Sequence, residues 1–422
     1  NIVLTMDDSG SMAWSFMPTS VGGYPSTKRA KSAAFNKIYY NPNVLYEPPV
    51  DEDGNSLGNA SFIAAWDNGY KKTGGGSCTI DLSSYYRPSW GGIDQNHCGS
   101  SNDFDNFYNR YAGPASTGAY YYLFDNNLSG CNNNIANDDC YRKVVVSDTS
   151  GVGDTVDERE NFANWYSYYR KRVYVTKTAA TLAFERFNSN IRVGYQRINR
   201  DSLNGVRTFS GAHRASFFDW LHDLPASGGT PLHRAMVGAG DYFETISPYR
   251  DDPADSGSTE RSCRQNFHIM MTDGEWNSIP NNLDVGNVDN TNNVSHSLPA
   301  NDYGVTNYTK FAPYKDNNSN YLADIAFKYW YRDLRPTATD NVPVNVSDLS
   351  TDFDGDGDTD NSDIFWNPQN DPANWQHMVN FMIGLGVSGE RDFPDDYGAL
   401  LSGTKNWPSA ANGNDQAKIE IG

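Results

Sequence analysis

Three short segments of the sequence carry the oxygen side chains that hard divalent cations prefer. The first has the pattern Asp-x-Ser-x-Ser, the second is a threonine after Gly-Gly, and the third is an aspartate within Thr-Asp-Gly. Because most of these groups are neutral, a bound ion keeps enough positive charge to attract a further carboxylate from a partner. We therefore predict a site for Mg²⁺, Mn²⁺ or Ca²⁺ at Asp7, Ser9, Ser11, Thr230 and Asp273.

Each segment alone has an ordinary structural interpretation. Asp-x-Ser-x-Ser is typical of a turn or a helix cap, and Thr230 directly before Pro231 is typical of an N-cap. Asp273 followed by glycine is typical of a turn. The three segments together, each following a predicted strand or loop, favour the metal site.

Strands that alternate with helices are expected to position these segments. Short apolar runs predict strands, and apolar residues at three- and four-residue steps predict helices. The predicted strands cover residues 1–6, 191–195, 267–272 and 381–387, the last as a buried strand. The predicted helices cover residues 27–40, 158–187 as one long helix, 214–221, 231–246 and 321–334. This order predicts an α/β fold with a doubly wound, mostly parallel sheet, in which strand ends and their loops meet at one edge.

The periodicity is lost between residues 41 and 157, where Gly, Asn and Tyr are frequent. This composition predicts a large irregular insertion of loops and short strands. Four cysteines cluster there without the Cys-x-x-Cys spacing of a zinc site, so we predict two local disulfides, with open connectivity, in an oxidising compartment. The four are Cys78, Cys98, Cys131 and Cys140, whereas Cys263 has no assigned partner.

A second acidic segment, residues 352–363, has the spacing of a twelve-residue calcium loop. Acidic side chains occupy positions 1, 3, 5, 9 and 12, position 7 supplies its carbonyl, and Gly357 takes the turn at position 6. Aspartate at position 12 resembles the calcium loops of dockerin repeats. Nearby prolines argue against a conformational switch, so we predict a structural Ca²⁺; the alternative is an ion-free acidic tail. The predicted loop residues are Asp352, Asp354, Asp356, Asp358, Asp360 and Asp363.

Charge and missing catalytic signatures limit the classes of function. The chain has 52 acidic and 33 basic residues and a formal charge of −19, which argues against a nucleic-acid partner because phosphate binding requires a basic face. No apolar run approaches the ~18 residues of a transmembrane segment. The motifs His-Glu-x-x-His, Gly-x-Ser-x-Gly and Gly-Lys-Ser/Thr are absent from the sequence. We therefore expect that the protein is not an enzyme, with a metal-dependent hydrolase as a distant alternative.

The three metal-site segments resemble the metal-ion-dependent adhesion site of von Willebrand factor A domains. Further phrases are similar to the PilY-type (PilC-type) tip-associated adhesins of type IV pili and cover nearly the whole chain except the insertion. They lie at residues 39–42, 161–170, 272–277, 322–326, 333–336, 375–378 and 384–389. The resemblance implies a secreted protein of Gram-negative bacteria that reaches the pilus tip through the periplasm and outer membrane. It also implies roles in pilus biogenesis, surface attachment and twitching motility.

The resemblance implies domain limits and partners as well. We expect a von Willebrand A-type domain at residues 1–40 and 158–422, with the calcium loop inserted at 340–368 and the disulfide-stapled insertion at 41–157. The expected partners are minor pilins or other pilus-tip components and host surface or matrix proteins. The alternative is a purely structural pilus-tip module whose metals only stabilise the fold. We expect that this sequence is a fragment, and that a removed leader and the family's C-terminal β-propeller lie outside it.

Overall fold

The chain forms two compact units in the computed structural model. The first unit comprises Asn1–Asp7, Ser189–Phe209 and Gly229–Gly422, and the second comprises Asp8–Asn188 and Ser210–Gly228. The described residues are 1–24, 27–72, 78–84, 86, 118–150, 157–200, 202–274, 276, 283, 285–290, 296–308, 313–353, 357–387, 389–392 and 394–408. Within these ranges, no helix is long and apolar enough to cross a membrane.

Short strands and helices alternate along the described ranges. In chain order, the strands are β1 (Ile2–Met6), β2 (Ala65–Trp66), β3 (Thr79–Ile80), β4 (Tyr120–Phe124), β5 (Tyr141–Val145), β6 (Arg192–Arg197), β7 (Asn204–Thr208), β8 (Phe267–Thr272), β9 (His296–Ser297), β10 (Asn307–Tyr308) and β11 (Val379–Gly384). The α-helices are α1 (Glu158–Tyr168), α2 (Arg172–Phe184), α3 (Gly211–His222), α4 (Leu232–Glu244), α5 (Leu322–Tyr331), α6 (Asn361–Trp366) and α7 (Tyr397–Leu401). Turns of 3-10 helix occupy Gly10–Ala13, Thr19–Gly23, Arg29–Lys31, Asp138–Cys140 and Ser247–Tyr249.

A five-stranded sheet in the order β11-β8-β1-β6-β7 forms the centre of the first unit. Its neighbouring strands are parallel except β7, which pairs antiparallel with β6. β1 lies in the middle, and its side chains from Val3 to Met6 are fully buried, as expected for a continuously apolar strand of a parallel sheet. The prediction of a mixed α/β fold with a mostly parallel sheet is confirmed.

Helices α4 and α5 pack around the core of the first unit. The apolar residues of α4 are buried at the predicted helical spacing and share a cluster with Val3 of β1 and Met270 of β8. Gly240 allows the two helices to approach closely, because a Cβ atom there would lie 2.5 Å from ring atoms of Tyr329 on α5. This packing fixes the C-terminal half of α4 against α5. The buried α4 residues predicted from the sequence are Leu232, Ala235, Met236, Ala239 and Phe243.

The second unit contains an aromatic core between α1 and the Tyr-rich segment that precedes it. There β2 pairs with β3, and β4 with β5, both antiparallel. The ring centroid of Tyr40 lies 4.7 Å from that of Phe162 and 5.9 Å from that of Trp165. The indole N–H of Trp165 donates to the carbonyl of Ile38 at 2.9 Å. Aromatic rings thus supply much of the buried apolar area of this core.

The prediction of a helix over residues 27–40 is wrong. The structure has a 3-10 turn at Arg29–Lys31, followed by further turns. The buried side chain of Asn36 explains this, because it accepts from the backbone N–H of Met17 and donates to the carbonyl of Ala30. Such side-chain hydrogen bonds compete with the backbone hydrogen bonds of a helix.

The prediction of a single helix over residues 158–187 is also wrong. α1 and α2 are separated by a short turn in which Lys171 has an extended backbone. Two arginines at this turn, Arg170 and Arg172, are only 3% and 2% exposed. The guanidinium of Arg170 lies 2.5 Å from Asp67 Oδ1. Pairing buried arginines in this way depends on distant parts of the chain, which the apolar periodicity does not show.

The strand predicted over residues 381–387 forms as β11, but the prediction that it is buried is wrong. β11 lies at the edge of the sheet beside β8. Phe381, Met382 and Ile383 are 52%, 42% and 42% exposed. The apolar pattern of a short run does not distinguish a central strand from an edge strand. The position of β11 in the sheet therefore could not be predicted from its sequence.

The cysteine cluster contains at least one of the predicted local disulfides. Cys131 and Cys140 are bonded, with Cα atoms 4.6 Å apart. Cys78 is also disulfide-bonded, whereas Cys98 lies outside the described residues. Cys263 is an exposed free thiol.

Candidate metal-binding sites

Two of the predicted metal ligands lie at the ends of neighbouring strands in the first unit. The parallel register of β1 and β8 places Asp7 and Asp273 at the same edge of the sheet. The N–H of Asp7 donates to the carbonyl of Met271 at 2.9 Å, which ties the two strand ends together. Both aspartates are buried, at 0% and 1% exposure. This is the carboxyl edge, where parallel α/β sheets bind ligands.

Thr272 orients the carboxylate of Asp7. Its hydroxyl donates to Asp7 Oδ2 at 2.7 Å and accepts from the backbone N–H of Gly274 at 3.0 Å. Because an ionised carboxylate can only accept hydrogen bonds, the hydroxyl hydrogen points towards Asp7. This positioning role was not predicted, because a sequence does not show which way a threonine at a strand end faces. The Thr-Asp-Gly pattern was the available signal.

The two predicted serine ligands belong to the second unit and lie within hydrogen-bond distance of each other. Ser9 Oγ and Ser11 Oγ are 3.0 Å apart, at the start of the 3-10 turn Gly10–Ala13. The N–H of Gly10 donates to the carbonyl of Gly228 at 3.1 Å. Gly10 and Gly228, which are far apart in sequence, are therefore adjacent within the second unit.

The fifth predicted ligand, Thr230, precedes α4 in the first unit. It is 4% exposed, and its carbonyl accepts from the N–H of Leu232 at 3.0 Å. α4 begins one residue later than predicted, so Pro231 is the N-cap and not the first helical residue. Asn199 donates from Nδ2 to the carbonyl of Gly229 at 2.7 Å. This hydrogen bond holds the backbone directly before Thr230.

The chemistry of these residues fits a hard divalent cation. Carboxylate and hydroxyl oxygens are suitable ligands for such an ion, and a cation would offset the cost of burying the carboxylates of Asp7 and Asp273. Among the described residues, no group of three or more His, Cys, Asp or Glu side chains is placed to hold a metal. The predicted site contains only two carboxylates, and its other three ligands are hydroxyls, so it does not belong to that kind of group. Asp7, Thr230 and Asp273 belong to the first unit, and Ser9 and Ser11 to the second, so their convergence on one ion stays a prediction.

The described part of the acidic loop is held by hydrogen bonds from its own backbone to its aspartates. Gly357, at position 6, has a φ of +103°, which residues with a Cβ rarely adopt. Asp352 Oδ2, at position 1, accepts from the N–H of Gly357 at 3.0 Å. Asp363, at position 12, is 2% exposed and accepts from the N–H groups of Phe353 and Asp360 at 2.8 and 2.9 Å. Asp354 and Asp356 lie outside the described residues, whereas Asp358 and Asp360 lie within them.

The acidic loop leads into α6 and is tied to the segment before it. Asp360 caps α6 and accepts from the N–H of Asp363 at 3.1 Å. Asn367, just after α6, donates from Nδ2 to Asp348 Oδ2 at 3.1 Å. A hydrogen bond from the hydroxyl of Thr351 is the main cause that holds the pKa of Asp348 below its ordinary value. The entry and exit of the loop are thus held by side-chain hydrogen bonds.

Three further aspartates of the first unit are buried, although no sequence pattern singled them out. Asp289, Asp316 and Asp324 are 3%, 8% and 1% exposed. Asp289 Oδ2 accepts from the N–H of Asp316 at 3.0 Å, and Asp324 Oδ1 accepts from the N–H of Val288 at 2.9 Å. They are separated by irregular segments, so only the folded chain shows that they belong together.

The fold and these loops define a mixed α/β protein with a mostly parallel, Rossmann-like sheet and with acidic residues at its carboxyl edge. No family profile matches the chain, and no solved structure matches it.

The sequence has clear homologues among pilus proteins. It is 35% identical over 441 residues to the type IV pilus biogenesis factor PilY1 of Pseudomonas aeruginosa strain PAK, an alignment that covers 98% of this chain and 35% of the relative. PilY1 of strain PAO1 is 34% identical over 454 residues, with 99% of this chain and 35% of the relative covered. PilY1 of strain UCBPP-PA14 is 35% identical over 445 residues, with 98% and 34% covered. The chain thus spans about a third of the length of these relatives.

These homologies confirm the resemblance to PilY-type proteins over nearly the whole chain. The assignment of a von Willebrand A domain, which was made from the motifs, stays a prediction.

Proposed function

We propose that this protein acts in type IV pilus biogenesis as a recognition module at the bacterial cell surface. The observation that carries this proposal is the identity of 34–35% to PilY1 factors over 98–99% of the chain. The bonded pair Cys131 and Cys140 supports a location in the cell envelope or beyond it, because disulfides persist in oxidising compartments. The location that we propose is the pilus tip, and the resulting functions are pilus assembly, surface attachment and twitching motility.

We further propose that the sheet edge is the metal-ion-dependent adhesion site of a von Willebrand A-type domain. A bound Mg²⁺, Mn²⁺ or Ca²⁺ would supply the positive charge that attracts a carboxylate of a partner. The buried carboxylates of Asp7 and Asp273 would balance part of that charge, and the hydrogen bond from Thr272 would keep Asp7 in place. The hydroxyls of the other residues would hold the ion without adding charge. The residues proposed to hold the ion are Asp7, Ser9, Ser11, Thr230 and Asp273.

The partner is proposed to present an accessible aspartate or glutamate. The formal charge of the chain is −19, so unspecific attraction to an acidic partner is weak and the attraction has to be concentrated at a local positive charge. Minor pilins and other pilus-tip components are the first candidates, and host surface or matrix proteins are further ones. The proposed activity is recognition and not catalysis.

The loop over residues 352–363 is proposed to bind Ca²⁺ with a structural role. The positive φ of Gly357 and the backbone hydrogen bonds of Asp352 and Asp363 support a loop that is folded around its own acidic oxygens. These hydrogen bonds also favour a second candidate function for the whole chain. In that alternative, the protein is a structural pilus-tip module whose metals only stabilise the fold.

Complementation in a piliated bacterium tests the recognition proposal. A strain without its own copy of the full-length protein would receive either the wild type or the Ser9→Ala/Ser11→Ala variant. We expect that the variant reaches the cell surface at wild-type level but restores neither pili nor twitching motility. Ser216 is exposed on α3 and belongs to no proposed site, so Ser216→Ala is the matched control and should restore both. Full activity of the Ser9→Ala/Ser11→Ala variant would leave the structural alternative in place.

A further inference from the structure

A chain of hydrogen-bonded polar side chains crosses four neighbouring strands inside the first unit. Gln196 of β6, Thr5 of β1 and His268 of β8 are 4%, 0% and 0% exposed. Gln196 Nε2 lies 2.9 Å from Thr5 Oγ1, which lies 2.7 Å from His268 Nε2. His268 Nδ1 lies 2.8 Å from Oδ1 of Asn380 on β11. We call these four residues the cross-strand network.

The direction of each hydrogen bond in the network follows from its donors and acceptors. Burial lowers the pKa of His268 to about 4, so at pH 7 the imidazole is neutral and carries one N–H. The amide oxygen of Asn380 can only accept, so this hydrogen is on Nδ1. Nε2 then accepts from the hydroxyl of Thr5, whose oxygen accepts in turn from Gln196. Each hydrogen bond therefore has one donor and one acceptor, as a buried polar network requires.

Gln196 also ties the network to α4. Its Nε2 donates to the carbonyl of Ala235, in the first turn of the helix, at 2.7 Å. The N–H of Ala235 donates to the carbonyl of Pro231 at 3.3 Å, and Pro231 directly follows Thr230. Burial of apolar surface is non-directional, so the apolar face of α4 alone would permit small shifts along the sheet. The hydrogen bond from Gln196 removes that freedom at the start of the helix.

The three parts of the first unit that carry predicted metal ligands are joined by this network. Thr5 belongs to β1, which leads directly to Asp7. β8, which contributes the imidazole, leads directly to Asp273. α4, whose first turn is held by the amide of Gln196, begins shortly after Thr230. The network thus fixes two strand ends and one helix start relative to one another.

We infer that Gln196, Thr5 and His268 are positioning residues of the proposed metal site at the sheet edge. They hold the three segments of the first unit that supply its predicted ligands. Because Mg²⁺ requires nearly ideal octahedral geometry with short bonds, a small shift of one segment weakens its binding. This inference rests on the proposed metal site and extends it to residues that are not ligands. The alternative is that the network only stabilises the core.

Isothermal titration of the whole chain with Mg²⁺ tests the inference. Gln196→Met nearly keeps the size of the side chain and removes both hydrogen bonds that Nε2 donates. We expect this variant to bind Mg²⁺ about tenfold more weakly than the wild type, at the lower end of the range for residues that support metal ligands. Circular dichroism at the temperature of the titration checks that the variant is folded.

The matched control is Asn266→Leu, directly before β8 and therefore at the opposite end of this strand from Asp273. Asn266 is 1% exposed and also donates two hydrogen bonds from its amide nitrogen, to the hydroxyl of Tyr249 and the carbonyl of His377. Asn266→Leu should lose stability as Gln196→Met does, but it should bind Mg²⁺ like the wild type. Affinity and stability together therefore separate a positioning role from a purely structural one.

A second pair of variants keeps the test decisive if Gln196→Met does not fold. Thr5→Val removes the hydroxyl between Gln196 and His268 and should also weaken Mg²⁺ binding, whereas Thr5→Ser keeps the hydroxyl and should restore it. Unchanged affinity in folded Gln196→Met or Thr5→Val would overturn the inference, as would an equal loss of affinity in Asn266→Leu. Absence of Mg²⁺ binding by the wild type would instead overturn the proposed metal site, and this inference with it.

Discussion

Two acidic regions of this protein are built in opposite ways. At the sheet edge, Asp7 and Asp273 are far apart in sequence and are buried at the ends of neighbouring strands. In the loop over residues 352–363, the aspartates are close in sequence, and Asp352 and Asp363 accept hydrogen bonds from the backbone of the same loop. The first region therefore requires the folded sheet, whereas the second forms within one short segment.

This difference suggests different tasks for the two regions. Ligands that come from separate strands are held rigidly and leave part of the coordination sphere open to a partner. A loop that wraps an ion in its own oxygens leaves little room for a partner and mainly stabilises its own backbone. We therefore expect that changes at the sheet edge alter partner binding, and that changes in the loop alter thermal stability.

The largest expected effect on ligand binding is the loss of Mg²⁺ binding at the sheet edge. Asp7→Ala combined with Ser9→Ala removes a carboxylate and a hydroxyl from the proposed ligands, so we expect at least a ~100-fold loss of Mg²⁺ affinity, or about 2.7 kcal/mol. Isothermal titration measures the affinity, and circular dichroism checks that the variant is folded. The Asp352→Ala/Asp356→Ala variant is the control and should keep its affinity for Mg²⁺ at this site. Equal Mg²⁺ binding by wild type and Asp7→Ala/Ser9→Ala would disprove the ligand assignment.

Buried and loop-associated acids should also differ in the pH dependence of stability. The pKa of Asp289 is raised from 3.8 to about 8 in the folded protein, so between these values the folded chain holds a proton that the unfolded chain has lost. Its contribution to stability therefore falls as the pH rises towards 8, by on the order of 1 kcal/mol per pH unit. Asp289→Asn should gain stability relative to the wild type from pH 5 to pH 8, as measured by urea unfolding.

The matched control for this pH dependence is Asp348→Asn. The pKa of Asp348 is lowered from 3.8, so both its folded and its unfolded values lie below pH 5. The difference in stability between the wild type and Asp348→Asn should stay constant from pH 5 to pH 8. A constant difference for Asp289→Asn over the same range would show that Asp289 is ionised throughout and would contradict the account of its burial.

An effect of similar size in free energy is expected for calcium in the loop. Ca²⁺ at 100 times its dissociation constant would stabilise the chain by about 2.7 kcal/mol and so raise the melting temperature by about 3 °C. Asp352→Ala/Asp356→Ala should remove this response, whereas Asp7→Ala/Ser9→Ala should retain most of it. Differential scanning calorimetry in Ca²⁺ and in EDTA measures both. A variant loop that still responds fully to Ca²⁺ would refute the calcium assignment.

The smallest expected effect concerns the turn of the loop. Gly357 has a φ of +103°, so Gly357→Ala should destabilise the chain by about 1–2 kcal/mol and weaken Ca²⁺ binding. Gly398, in α7, has open space around the position of a Cβ atom, and Gly398→Ala should be neutral or should stabilise by up to about 1 kcal/mol. Chemical unfolding of both variants provides the comparison. If both substitutions had the same effect, the backbone of Gly357 would not be under the proposed constraint.

Local sequence patterns predicted the strands and helices whose apolar residues recur at a regular spacing. β1 and β8 are short apolar runs, and α4 has apolar residues at helical steps, so both types of element were predicted with nearly correct bounds. The break between α1 and α2 was not predictable in this way, because Arg170 at that turn pairs with Asp67, about a hundred positions earlier. Polar contacts over such distances decide where a helix ends but leave no local signal.

The candidate site likewise has features that the sequence predicted and features that it did not. The Asp-x-Ser-x-Ser and Thr-Asp-Gly motifs are local, and the parallel sheet implied that Asp7 and Asp273 lie at one edge. The orientation of Thr272 towards Asp7 and the burial of Asp289 in an aromatic cavity depend on residues from other elements. They became visible only in the folded chain.

The most direct test of the central claim, that a metal ion at the sheet edge binds a partner, is capture of purified minor pilins by the immobilised full-length protein. The capture is measured in Mg²⁺, then in EDTA, and again after Mg²⁺ is restored. The account predicts binding, loss and recovery for the wild type and for Asp352→Ala/Asp356→Ala, and no binding at any stage for Asp7→Ala/Ser9→Ala. Binding that persists unchanged in EDTA would contradict the account.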